Sequence, residues 1–266
     1  VAKVRTLTLA AMKRAGERIV CVTAYDWPTA LALEEAGVDV ALVGDSLGQV
    51  VLGYDSTLPV TLEEMAHHAR AVKRGLKRAL LVVDLPFMSY QEGPAQALRS
   101  AGWLMKHAGA EAVKLEGGAG IAPSVAHLVQ AGIPVMGHLG LTPQSVHALG
   151  GYRVQGRDKA AAARLLADAR ALEKAGAFAV VLEGVPAALA RRISRVLRIP
   201  TIGIGAGPAC DGQVQVWHDI QGALPGRRPR HARAYQDGFL AAVRALKTWR
   251  DDVRAGRFPG PEETTA

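Results

Sequence analysis

Four carboxylates in this chain each stand at the end of an apolar run. Asp45 follows Val38 to Val43, Asp84 follows Ala79-Leu-Leu-Val-Val83, Glu116 follows Ala112-Val-Lys-Leu115, and Glu183 follows Ala179-Val-Val-Leu182. Ser46, Lys114 and His138 stand at comparable places. One acid at a strand end is ordinarily a helix cap or a loop ion pair. Four, accompanied by a lysine and a histidine, describe a site. Two Asp oxygens with a Glu and water suit Mg2+, a hard cation that keeps part of its water shell. Zinc would call for a His or Cys pattern such as His-Glu-x-x-His or Cys-x-x-Cys, and the chain has neither. The adjacent His67 and His68 fall within a helical stretch, where neighbouring positions do not share a face, so they read as surface or interface.

Such residues meet only if the elements carrying them converge. A chain of 266 residues with 49% hydrophobic content can bury one large core. No stretch of 18 or more apolar residues is present, so no membrane span is expected. Cys21 and Cys210 are too few for a disulfide framework, which points to a reducing, cytoplasmic setting. Much of the net charge of +8 falls in Arg191, Arg192, Arg195, Arg198 and the 226–233 loop. No nucleic-acid-binding motif accompanies it, so it reads as solvated helix faces and a basic loop.

The pattern along the chain is a short amphipathic helix from Leu7 to Arg18, capped by Thr6, and then eight strand candidates alternating with helices. Leu7, Leu9 and Met12 are expected to face inward on the first helix. Thr61 and Glu64 form a capping box for the helix that closes near Gly75. The eighth strand, Gln213 to Trp217, is the weakest of the set. Eight alternations over this length predict an α/β fold, a (β/α)8 TIM barrel with a short N-terminal helix, as a single domain over 1–266 with a loosely ordered tail from about 256. A doubly wound open sheet is the competing arrangement. It lacks its fingerprint, because Gly203-Ile-Gly-Ala-Gly207 is followed by Pro208 where the last glycine should fall.

Several strings together identify a family. Gly44-Asp-Ser-Leu-Gly48, Asp55-Ser-Thr-Leu-Pro-Val60, Asp84-Leu-Pro-Phe-Met88, Val113-Lys-Leu-Glu-Gly-Gly118, Gly137-His-Leu-Gly-Leu-Thr-Pro-Gln-Ser145 and Ile202-Gly-Ile-Gly-Ala-Gly207 closely resemble ketopantoate hydroxymethyltransferases. The resemblance implies a Mg2+-dependent barrel that transfers a one-carbon unit from 5,10-methylenetetrahydrofolate to 2-oxoisovalerate. It also implies Asp45 and Asp84 as metal ligands, with Glu116 completing or supporting the set. Asp45, Ser46, Asp84 and Lys114 would contact the 2-oxo acid, His138 would be a further polar contact, and Glu183 would be the general base. Assembly as a homodecamer of two stacked pentamer rings is implied in the same way.

The physical chemistry agrees with that assignment. Removing the C3 proton of a 2-oxo acid leaves an enolate whose oxygen needs a Lewis acid. The base must reach C3 without being tied to the metal, and Glu183 lies on strand six, across a barrel from strands two and three. A carbon–carbon lyase of the phosphoenolpyruvate mutase/isocitrate lyase type would use the same barrel and metal. Such enzymes commonly carry a reactive cysteine in a lid motif, and neither Cys21 nor Cys210 has that context. A non-catalytic barrel would be expected to lose one or more rim acids, and all four remain.

Overall fold

Seven apolar runs, too short for helices and rich in Val, Leu and Ile, become strands, and the more polar Gly212–Gln215 completes the set. A computed structural model describes residues 2–226 and 229–265. Its strands are β1 Ile19–Thr23, β2 Val40–Val43, β3 Leu80–Asp84, β4 Ala112–Glu116, β5 Val135–Gly140, β6 Ala179–Glu183, β7 Thr201–Ile204 and β8 Gly212–Gln215. All pair in parallel and in chain order, and β8 closes onto β1 with Gly212 opposite Ile19. The expected barrel is the observed one.

The helices around it are α1 Thr6–Ala15, α2 Trp27–Glu35, α3 Leu47–Val50, α4 Leu62–Gly75, α5 Pro94–Ala108, α6 Ala122–Gln130, α7 Lys159–Lys174 and α8 Ala187–Val196. Their starts are chemically specified. Asp26 Oδ1 accepts from Thr29 N at 2.7 Å, and Asp158 Oδ1 accepts from Ala161 N at 2.8 Å. At α4 the capping box is complete: Thr61 Oγ1 accepts from Glu64 N at 3.1 Å and Glu64 Oε2 from Thr61 N at 2.7 Å. Each cap is worth about 1 kcal/mol.

The chain divides into two compact units, Val1–Val216 and Trp217–Ala266. All eight strands belong to the first. The second holds α9 Trp217–Gln221, α10 Gly238–Arg254 and a 3-10 turn at Pro261–Glu263.

Alternation within the strands explains the interior. Ile19 and Cys21, Val40 and Leu42, Leu80 and Val82, Ala112, Met136, Ala179 and Val181, Ile202 and Val214 pack together as one buried cluster. Each fully buried Val or Leu contributes about 1.5–3 kcal/mol. Side chains two residues apart share a face of a strand. Two steps beyond Val82, Ala112, Met136 and Val181 are Asp84, Lys114, His138 and Glu183, and Glu116 follows Lys114 by another two. The periodicity that fills the barrel therefore points the charged residues into its C-terminal mouth.

Local boundaries differ from the sequence reading at several points. Arg5, not Thr6, caps α1, with Arg5 N donating to Thr8 Oγ1 at 3.1 Å. Leu9 is buried and Met12 packs against the core, but Leu7 is 81% exposed. Residues two apart on a helix lie roughly 200° apart around its axis, so Leu7 and Leu9 cannot share a face. Strand β8 ends at Gln215, and Trp217 opens α9 instead of ending the strand. Helix α3, directly after Ser46, was not anticipated.

Candidate active site

The expected residues converge at the C-terminal ends of β2 to β6. Register places Asp84 opposite Lys114, Glu116 opposite His138, and Gly140 opposite Glu183. Asp45 and Ser46 follow β2 in the turn into α3. Asp45 N donates to Asp84 Oδ2 at 3.1 Å, bringing the two aspartates together. Gly44 must be small for this: a Cβ there would stand 2.9 Å from Ser46 Oγ and 3.6 Å from Asp84 Oδ2. The Ser46 hydroxyl pairs with Tyr25 OH at 2.8 Å.

Lys114 and His138 tie the acids into one network. Lys114 Nζ lies 3.0 Å from Asp84 Oδ1 and 3.3 Å from His138 Nδ1. His138 Nδ1 is also 3.3 Å from Glu116 Oε1, and its Nε2 is 3.3 Å from Glu183 Oε2. Lys114 and His138 are only 5% and 3% exposed. Breaking a buried ion pair by removing one partner costs about 3–5 kcal/mol, so the network holds only as a set.

The electrostatics reflect an excess of negative charge. Burial, reinforced by Asp84 and Glu116, pushes the Asp45 carboxyl up to about 8 against the opposing effects of Lys114 and Gln144. Asp84 is also raised by burial, although Lys114 opposes it. Burial would raise Glu116 too, but contacts with His138, the Lys114 charge and the Gln144 N–H hold it below its ordinary value. Burial and Lys114 press the His138 imidazole downward, and the Glu116 and Glu183 carboxylates outweigh them, lifting it to about 9. Burial likewise disfavours the Lys114 cation, yet Asp84, Glu116 and Asp45 keep it above its usual range.

This donor set fits a divalent cation of the Mg2+ kind. Asp84 Oδ1 and Glu116 Oε1 are buried oxygens whose close contacts lack hydrogen-bond geometry, leaving acceptor capacity directed into the site. A cation between Asp45 and Asp84 would relieve the repulsion that raises Asp45. Among the described residues, no group of three or more His, Cys, Asp or Glu side chains is gathered into a cage that could hold a metal ion. Mg2+ needs no such cage, since it commonly takes one or two carboxylates and fills the remaining positions with water and substrate oxygens.

Three residues of the network were missed from sequence. Gln144, in the 3-10 turn Pro143–Ser145 after β5, donates from Nε2 to Asp45 Oδ2 at 2.8 Å and to Leu85 O at 3.0 Å. Its backbone N–H donates to Glu116 Oε2 at 3.0 Å. Tyr90 OH donates to Gln144 Oε1 at 2.7 Å and accepts from Glu116 N at 3.2 Å. Tyr25 is the third, through Ser46. Only the string Thr142-Pro-Gln-Ser145 hinted at Gln144, and its loop was equally readable as a lid or a subunit contact. His68, outside the cluster, places Nδ1 2.6 Å from Tyr25 O, a supporting contact and not a metal ligand. Arg227 and Arg228 of the basic loop lie outside the described residues.

The family model for ketopantoate hydroxymethyltransferase matches residues 3–261. The chain belongs to the ketopantoate hydroxymethyltransferase family. Similar relatives include the 3-methyl-2-oxobutanoate hydroxymethyltransferase of Chloroflexus aurantiacus, 59% identical over 254 residues, which cover 96% of this chain and 90% of that one. The enzyme of the same name from Moorella thermoacetica is 57% identical over 256 residues, covering 96% and 95%. As a member of this family the chain is a transferase. Among solved structures, 2,3-dimethylmalate lyase, a phosphoenolpyruvate mutase/isocitrate lyase superfamily member, superposes with a TM-score of 0.59 at 18% identity, covering 98% and 91%. Phosphonopyruvate hydrolase in complex with oxalate and Mg2+ gives 0.62 at 15%, covering 99% and 93%. At these identities the likeness is one of fold, and the carbon–carbon lyase alternative gains nothing beyond it.

Proposed function

We infer that this hydroxymethyltransferase uses 5,10-methylenetetrahydrofolate and 2-oxoisovalerate, and forms ketopantoate through the enolate of the 2-oxo acid. The observation that supports it is the single buried network joining Asp45, Asp84, Lys114, Glu116, His138 and Glu183 at the barrel mouth.

Asp45 and Asp84 would hold Mg2+, and Glu116 would complete or support the set. When bound, Mg2+ supplies Lewis acidity where the oxo oxygen gains negative charge. Lys114 adds a fixed cation beside Asp84 for the substrate carboxylate and oxo group, while the Ser46 hydroxyl, steadied by Tyr25, offers a neutral contact. Glu183 removes the C3 proton. Its carboxylate is the least buried of the four, with the side chain 15% exposed, and it makes no contact with the aspartates. His138 sits between Glu116 and Glu183, so its first role is to position the base. C3 then forms its new carbon–carbon bond to the one-carbon unit of the donor, whose two carbon–nitrogen bonds break with their electron pairs going to nitrogen; water supplies the hydroxyl of the product and tetrahydrofolate leaves.

The same proposal includes a reducing cytosolic setting, in keeping with two free, buried cysteines. Among the described residues, no helix is long and apolar enough to cross a membrane. It also includes a ring-built homodecamer. Leu246, Trp249 and Val253 of α10 repeat at three- and four-residue spacing and are all exposed, which supports contact with further copies of this chain. Sedimentation velocity measures that state.

The first test of the chemistry is deuterium exchange at C3 of 2-oxoisovalerate, with Mg2+ and without folate. Metal-dependent exchange in the wild-type protein that disappears in Glu183→Gln is the expected result. Absence of exchange both with and without tetrahydrofolate, in folded protein, would overturn the enolisation reading.

A further inference from the structure

The chain between β5 and α7 crosses the mouth of the barrel. Leu141 N donates to Glu183 O at 2.8 Å, Gln144 reaches Asp45 and Glu116, and Gln155 N donates to Gly184 O at 2.9 Å. Between these ties, Tyr152 OH accepts from Gln49 Nε2 at 3.5 Å, and Gln49 lies on α3, three residues after Ser46. Tyr152 and Gln155 thus attach the segment to the Asp45 side and the Glu183 side of the rim, and three residues of extended chain span about 10 Å.

We propose that Tyr152 is a positioning residue for the one-carbon donor, its ring forming the platform at the barrel mouth against which the donor's flat heterocycle lies. This rests on the folate reading given above.

Two features favour the donor over the 2-oxo acid. Tyr152 is 54% exposed as a residue although its hydroxyl contacts Gln49, so it stays open to an incoming molecule. A residue that served only to seal a small branched oxo acid would have its ring covered. The oxo acid also has no aromatic surface to match a phenol, whereas a pterin-like ring does, and offset stacking is the arrangement such rings prefer. The position is close enough to the chemistry for charge to register. Burial raises the phenol pKa, the Gln49 hydrogen bond opposes this, and the charges of Asp45, Glu183 and Glu116 add to the rise.

The test separates ring from hydroxyl and donor from oxo acid. Tetrahydrofolate binding is measured by calorimetry on wild type, Tyr152→Leu and Tyr152→Phe, alongside C3 exchange without folate. Tyr152→Leu should weaken tetrahydrofolate at least tenfold, about 1.4 kcal/mol. Tyr152→Phe should weaken it less than threefold, and exchange should fall by a smaller factor than the affinity in both variants. Unchanged affinity in Tyr152→Leu overturns the platform. So does an equal loss in Tyr152→Phe, which would assign the effect to the Gln49 contact, or a parallel loss of exchange, which would assign Tyr152 to the oxo acid. If the wild type exchanges C3 but binds no tetrahydrofolate, the donor reading itself fails. In wild-type protein, added tetrahydrofolate should also shift the Tyr152 ring resonances through its ring current, which detects the stacking without a substitution.

Discussion

Gln144 Nε2 donates to Asp45 Oδ2 at 2.8 Å, joining two residues 99 positions apart in the chain. The same side chain accepts from Tyr90, and its backbone N–H holds Glu116. One neutral residue therefore orients two acids of the proposed metal site, Asp45 through its side-chain amide and Glu116 through its backbone N–H. Removing a partner of this kind typically lowers metal affinity by about 10–100-fold. Gln144→Ala is expected to weaken Mg2+ binding within that range by calorimetry while the protein remains folded. Wild-type affinity in the variant would remove Gln144 from the site's support.

Asp84 and Glu183 should fail in different ways. Asp84→Ala removes a proposed Mg2+ ligand and leaves Lys114 without its 3.0 Å partner, so both metal binding and C3 exchange should be lost. Glu183→Gln should keep Mg2+ affinity within a few-fold and lower exchange by about 10²–10⁴, the usual worth of a general base. Exchange by Glu183→Gln at the wild-type rate would assign the base elsewhere.

Gly140 ends β5 at φ +96, and a Cβ there would stand 2.1 Å from Glu183 O. That carbonyl accepts from Leu141 N and fixes the start of the segment leading to Gln144. Gly140→Ala should cost at least about 1–3 kcal/mol of stability from backbone strain alone, read from urea denaturation. Transfer activity should fall with it, because the turn carrying Gln144 must shift.

Glu111 makes stability depend on acid pH. Burial would raise its carboxyl, but the Leu81 N–H at 2.9 Å, together with Lys3 and Lys73, holds it below the ordinary 4.5. A depressed folded-state pKa contributes stability that is complete above the unfolded value and is lost as pH falls through the folded one. Glu111→Gln should therefore be less stable than wild type at pH 7. The gap should close below pH 4.5 as the carboxylate protonates. A gap of constant size across that range would mean that packing, not charge, is responsible.

Much of this protein was legible from its residues in order. Continuous apolar runs that end in Asp, Glu or His specify both strands and rim, because a parallel strand covered on both faces is apolar along its length and turns polar where it leaves the core. Eight alternations specify a barrel, and Asp45, Asp84, Lys114, Glu116, His138 and Glu183 met where that barrel required. The tertiary structure decided what those residues touch. Gln144, Tyr90 and Tyr25 belong to the site only because loops fold back over it, and loop paths carry no periodicity from which to read them. It also decided that His138 stands between Glu116 and Glu183, and that Tyr152 reaches α3 across the mouth. Strand positions follow from local apolar runs, but a hydrogen bond across 99 residues depends on where two independently specified elements come to rest.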